Sequence, residues 1–327
     1  MSLSLKKWII GGGVGAVTLL LAFLLGYSHL FGPASGADMV PRDFIVEPDE
    51  SVEEVVQELR DTGLIKSGLA FRLAFLRHTN GKGVRAGGYT LAPSMDAWTV
   101  AKTLTDPPLS AFVTVPPGLR KEEIAELFVE TFDWTEEQKQ EWLAASVIPN
   151  FDEGVYFADT YLIPASLPPT EVAERLQTRF QDMTQEAAEE ARRQNIRWST
   201  VLTLASLVER EAARNDKALV AGILWNRLEN NWMLQVDASL QYVRGNDGRG
   251  WWAAPKSEDK YLESPFNTYQ HVGLPPHPIA SPSLASIEAV LNPESTGCYF
   301  YLHDPRGRIH CSRTYSGHVA NVNRYLR

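Results

Sequence analysis

Hydrophobic and polar positions divide the chain into three stretches. Lys6 and Lys7 precede a run from Trp8 to Tyr27 that holds no charge. About 20 apolar residues in helical form span a bilayer core. The run predicts a transmembrane helix over residues 8–27, with residues 1–7 on the cytoplasmic side by the positive-inside rule. The small residues Ala34-Ser-Gly-Ala37 leave a cleaved signal peptide open, although the run exceeds the apolar core of such peptides. Either reading exports the rest of the chain. Residues 28–41 are a linker rich in Gly, Pro, Ser and Ala.

Residues 42–108 predict a small α+β module. A short strand at Phe44-Ile-Val46 leads to a cap at Ser51. An amphipathic helix over Val52–Leu59 stops at Gly63, a second helix covers Leu69–His78, a strand Val84–Leu91, and a third helix Ala97–Leu104. Residues 109–327 predict a larger mixed unit. The strand Ala111–Val115 turns through Pro116–Leu119 into a helix over Lys121–Phe132, and Thr135 caps the next. An aromatic loop runs from Gly154 to Pro164, and a long helix from Pro169 to about Gln194. Helices follow at residues 199–214 and Leu219–Leu228. Gln235 to Pro282 reads as mostly loop, and a loop tract of that length inside a domain is usually functional. Leu284–Leu291 is a helix, a hairpin turns at Asp304–Gly307, and a last helix starts near Gly317. The fold class is α+β.

The helix at 199–214, capped by Ser199 or Thr200, carries the most informative pattern. At 100° per residue, Val201, Leu204, Ala205, Val208 and Ala212 form an apolar stripe. Glu211 falls between Leu204 and Leu207, inside the apolar arc. Glu209 lies on the other flank, about 200° away, so the two carboxylates cannot share one site. Burial of a carboxylate is costly and raises its pKa, which suits a general acid. A structural ion pair with an arginine would also explain it, and the pattern alone leaves both open.

Bulk properties remove some classes. A net charge of −9 gives no basic field for nucleic acid. Nine tryptophans and eleven tyrosines could stack on sugar faces or simply fill cores. Cys298 and Cys311 fall on the two arms of the hairpin. Closing its turn puts Phe300 opposite Cys311, so the cysteines are near but off register, and both a disulfide and two thiols stay open. The histidines His271, His277, His303, His310 and His318 match no zinc spacing with Cys311, and no nucleophile elbow surrounds Ser206, so no metal or other cofactor is expected.

Four further stretches mix hydrogen-bonding groups with rings and rigid turns, as a sugar cleft would. They are Glu153-Gly-Val-Tyr-Phe-Ala-Asp-Thr-Tyr161, Leu234-Gln-Val-Asp237, Ser264-Pro-Phe-Asn-Thr-Tyr269 and Gly273-Leu-Pro-Pro-His-Pro-Ile279. Together with Ala205-Ser-Leu-Val-Glu-Arg-Glu211, in this order, they resemble the membrane-anchored endolytic murein transglycosylases, also called YceG-like. The likeness covers about residues 42–327. Departures are Val155, Tyr156, Ala158, Val236, Phe266 and His277, and Cys311 replaces an aromatic after His310.

The resemblance implies a transmembrane anchor in the bacterial cytoplasmic membrane, a LysM-like module at 42–108 and a catalytic domain at 109–327 on the extracytoplasmic side. It implies cleavage of the β-1,4 bond between N-acetylmuramic acid and N-acetylglucosamine inside nascent peptidoglycan strands, with 1,6-anhydro ends and Glu211 as the acid and base. Gln235, Asp237, Asn267, Thr268, Tyr269, Glu153, Asp159, Tyr161 and His310 are the candidate substrate-binding residues, and peptidoglycan synthases the candidate partners. The reading from another class is a non-enzymatic wall-binding scaffold for peptidoglycan synthesis.

Overall fold

A computed structural model describes the chain apart from residues 1–2, 80–82, 147, 149–150 and 214 and the side chains of residues 3–16. Helix α1 (Leu3–Phe31) covers the apolar run. Much of the expected span at 8–27 therefore lies outside the described side chains. Among the described residues, no helix is long and apolar enough to cross a membrane.

The chain forms two compact units, residues 1–112 with 161–166 and residues 113–160 with 167–327. In the first, β1 (Arg42–Val46) pairs antiparallel with β2 (Gly87–Leu91), with Phe44 facing Tyr89. The strand expected from Val84 begins only at Gly87, because its partner ends at Val46. Between them run α2 (Val52–Asp61) and α3 (Gly68–Thr79). Ser51 opens α2 with a full capping box against Glu54, and Gly63, at φ +70°, follows its end. With α4 (Ala97–Thr103) these elements bury one core, centred on Phe44, Val55, Leu59, Phe71, Phe75, Tyr89 and Leu104. β3 (Ser110–Thr114) and β4 (Thr160–Pro164) complete a sheet in the order β1-β2-β3-β4. β4 lies where the sequence suggested only an aromatic loop.

The second unit is mainly helical: α5 (Lys121–Phe132), α6 (Glu136–Ala144), α7 (Pro169–Arg193), α8 (Trp198–Glu211), α9 (Lys217–Glu229), α10 (Asp237–Arg244), α11 (Leu284–Leu291) and α12 (Tyr315–Tyr325). Every side chain of α8 from Val201 to Val208 is buried. The helix starts at Trp198, with Arg197 before it and no side-chain cap, so neither Ser199 nor Thr200 caps it. It ends at Glu211, and Arg214 lies outside the described residues. α10 and a 3₁₀ turn at Ser257–Tyr261 break up the tract expected to be loop.

The motifs pack on one another. Ser206 Oγ accepts the backbone N–H of Ile279 at 3.0 Å, tying α8 to the Gly-Leu-Pro-Pro stretch. Gly154 adopts φ +80°, and a Cβ there would sit 2.4 Å from the Cβ of Pro278, so glycine is required twice over. β5 (Phe300–His303) and β6 (Ile309–Ser312) form the hairpin. Its register is one residue from expectation, with Tyr301 rather than Phe300 opposite Cys311. The loop is longer than a tight turn because Asp304 Oδ1 accepts the N–H groups of both Arg306 and Arg308. Cys298 and Cys311 form a disulfide.

Candidate active site

Helix α8 delivers two glutamates, two residues apart, into opposite environments. Glu209 Oε2 accepts the Nζ of Lys217 at 2.9 Å, the N–H of Ser283 at 2.9 Å and the hydroxyls of Ser283 and Ser286. Burial alone would push this carboxyl up, but these donors outweigh it and hold it below the usual range. Glu209 is thus a structural anion.

Glu211 differs. Its Oε2 accepts the phenol of Tyr301 at 2.8 Å and its Oε1 the N–H of Ala238 at 3.2 Å. No lysine or arginine pairs with it among the described ion pairs. Burial raises its pKa, Asp237 adds to the rise, and the Tyr301 and Ala238 bonds and His303 oppose it. Environments that drive two carboxyls apart mark out the one able to carry a proton near neutral pH.

The surroundings come from four elements. Gln235, at φ +50°, kinks the chain so that α10 starts at Asp237 and aims the N–H of Ala238 at Glu211. Asp237 Oδ1 accepts the phenol of Tyr269 at 2.6 Å. Burial, reinforced by that bond, pushes the Tyr269 phenol far up. Arg227, buried on α9, donates Nε to the carbonyl of Tyr299 at 2.6 Å. His303 Nε2 meets Asp216 at 2.9 Å.

Of the residues singled out from the sequence, Glu211, Asp237, Gln235 and Tyr269 come together here. Thr268 is buried beneath them, its Oγ1 accepting the N–H of Val236 at 2.9 Å. Asn267 is fully buried and braces the loop, donating to the carbonyls of Leu262 at 2.8 Å and Lys260 at 3.2 Å. The other four are placed elsewhere. His310 lies opposite Leu302, on the hairpin face away from Tyr301, where it stacks on Tyr325 and meets Asp304 at 3.1 Å. Glu153 is buried, with its carboxyl on the N–H groups of Lys121 and Gly154 at 3.0 and 2.9 Å. Burial pushes it up to about 7. Asp159 pairs with Arg179 at 3.0 Å, and Tyr161 is buried in β4. The sequence reading missed Tyr301, His303 and Arg227. Tyr301 and His303 lie two apart on one strand and so share a face, a signal available from the alternation of the strand alone once it is extended to His303.

Among the described residues, no group of three His, Cys, Asp or Glu side chains is arranged to hold a metal ion.

A model of the YceG-like family matches residues 44–324. The chain belongs to the YceG-like family. It is 26% identical over 362 residues to the endolytic murein transglycosylase of Streptococcus pneumoniae serotype 2 (strain D39 / NCTC 7466), a match covering 98% of this chain and 65% of that protein. This YceG-like chain therefore spans just under two thirds of the pneumococcal relative. The endolytic murein transglycosylase of Bacillus subtilis (strain 168) is 26% identical over 344 residues, covering 93% of this chain and 90% of that one. The crystal structure of a yceG-like protein from Listeria monocytogenes superposes with a TM-score of 0.62 at 22% identity, over 86% of this chain and 98% of that one, and shares the α+β fold.

Proposed function

We propose that this chain is an endolytic peptidoglycan lytic transglycosylase with Glu211 as its general acid and base. The observation that carries the reading is the pair of environments on α8, Glu209 held ionised and Glu211 held protonatable in a site of phenols and backbone N–H groups. The names of the pneumococcal and Bacillus relatives support the substrate class.

In the proposed reaction the Glu211 carboxyl gives its proton to the glycosidic oxygen, the bond from that oxygen to C1 of N-acetylmuramic acid breaks, and N-acetylglucosamine leaves as an alcohol. The muramyl 6-hydroxyl closes on C1, and its proton returns to Glu211. A 1,6-anhydro ring forms, no water is consumed and the carboxyl is regenerated. Most glycosidases need a second carboxylate as nucleophile or base. An internal hydroxyl removes that need, which suits a site with one protonatable carboxyl. Asp237, Tyr269 and Gln235 would position the sugar.

The wider proposal has the apolar run at 8–27 anchor the chain to the cytoplasmic membrane, with residues 42–108 as a LysM-like module, 109–327 as the catalytic domain, and both outside beside the peptidoglycan synthases. The Cys298–Cys311 disulfide supports an oxidising compartment.

The test is digestion of uncross-linked glycan strands by the full-length chain in detergent micelles, beside Glu211→Gln, with products read by mass. Anhydro-ended fragments from wild type, and a loss of at least about a thousandfold in the variant, are expected. Reducing ends would sink the transglycosylase reading in favour of hydrolysis. Binding without cleavage by either chain would favour the scaffold.

A further inference from the structure

We infer that Tyr301 is a positioning residue for the acid, presented to it by the disulfide-stapled hairpin β5–β6. The inference rests on the reading of Glu211 as general acid.

The geometry begins with a helix end. Glu211 is the last residue of α8, so no later turn of the helix packs against its side chain. Two donors from other elements fix the plane of its carboxyl group. The Tyr301 phenol takes Oε2 at 2.8 Å and the Ala238 N–H takes Oε1 at 3.2 Å. The phenol is the stronger constraint, being shorter and carried on a strand tied at three points. Cys311, directly opposite Tyr301 in the ladder, is bonded to Cys298. The carbonyl of Tyr299 accepts Arg227 Nε at 2.6 Å, and His303 Nε2 meets Asp216 at 2.9 Å.

Tyr301 does not itself give up a proton. Burial, with Glu211 beside it, drives its pKa well above 10. Its bond favours the ionised carboxyl and so limits how far burial raises Glu211. The other charged or titratable groups acting on Glu211 are Arg210 beside it on α8, Asp237 on α10 with its Tyr269 partner, Arg227 on α9, and His303 on β5 with Asp216. None of these donates a hydrogen bond to the Glu211 carboxyl among the described contacts, so Tyr301 is the side chain that orients the carboxyl, and its bond is the main opposition to the rise that burial causes.

The experiment uses the full-length chain in detergent micelles, as wild type, Tyr301→Phe and Cys298→Ser/Cys311→Ser. One readout is a carbon-13 NMR titration of the Glu211 carboxyl, assigned by the loss of its signal in Glu211→Gln. The other is kcat and KM against pH on uncross-linked glycan strands. A general acid must be protonated, so the rate falls as pH rises through its pKa. Tyr301→Phe is expected to move the Glu211 titration and the high-pH limb upward together by about one pH unit, and to lower kcat about tenfold or more with KM within about twofold. An unmoved titration and limb in a folded Tyr301→Phe overturn the inference, because a purely structural tyrosine would alter only the melting temperature. The double serine variant keeps the phenol but frees the hairpin, and a kcat loss of about threefold or more supports the staple. If Tyr301→Phe fails to fold, an unchanged kcat and limb in the double serine variant overturn the inference. An inactive wild type sinks the transglycosylase reading alone, and the NMR titration then still decides whether Tyr301 governs Glu211.

Discussion

At the scale of the residue, the contrast that matters is between carboxyls that are buried and carboxyls that are paired. Glu211 was legible in the sequence because a charge inside an apolar arc is rare and expensive. Glu153 carried no such signal, since a glutamate before a glycine reads as loop chemistry. Yet it is only 2% exposed and is pushed by burial up to about 7. Its linkage to stability has a definite sign. Below pH 4.5 the carboxyl is protonated both folded and unfolded, and it adds no pH dependence. Between 4.5 and about 7 the unfolded chain ionises first, so stability falls as pH rises. Glu153→Gln is expected to flatten that slope in denaturant melts taken from pH 4 to pH 8, and to be more stable than wild type relative to its own value at pH 4. A slope identical to wild type would remove Glu153 from the account.

Elements were read well where a single period governed them. The amphipathic α2, the cap at Ser51 and the glycine stop at Gly63 follow from local rules and appear as expected, the cap as a full capping box with Glu54. The errors lie where local and long-range signals compete. α10 was hidden in a tract full of Asn, Asp and Gly, although Asp237 in its first turn and Gly245 after its end are ordinary boundary signals. The hairpin register lies one residue from expectation because Asp304 holds a wider loop than the Asp-Pro-Arg-Gly pattern suggests, and Tyr301 rather than Phe300 therefore faces Cys311. At this scale Glu209 acts as a clamp between α8, α9 and the start of α11, through Lys217, Ser283 and Ser286. Glu209→Ala would leave the Lys217 ammonium largely buried without its partner. A loss of about 3 kcal/mol in chemical denaturation is expected, whereas Glu211→Gln should stay within about 1 kcal/mol of wild type. Equal losses in the two variants would contradict their division of labour.

For the whole molecule, the sequence marked a boundary near residue 108, while the first unit also takes in residues 161–166, which reach it through β4. No composition shift announces that return, because a sheet assembles by pairing rather than by sequence order. The proposed placement outside the membrane has its own check. In intact cells, Cys298 and Cys311 should resist alkylation until a membrane-impermeant reductant is added, and then both should label with an impermeant maleimide. Labelling by a permeant reagent without reduction would place the unit in a reducing compartment instead.

The clamp at Glu209 reaches beyond stability. It pins α8 within its last turn, two residues before Glu211, while Tyr301 and Ala238 fix the Glu211 carboxyl itself. A carboxyl held in this way has a fixed address. On the proposed reaction, the accommodation must then come from the glycan: the ring to be cut has to pucker until its own 6-hydroxyl and its leaving oxygen meet a carboxyl that does not come to them.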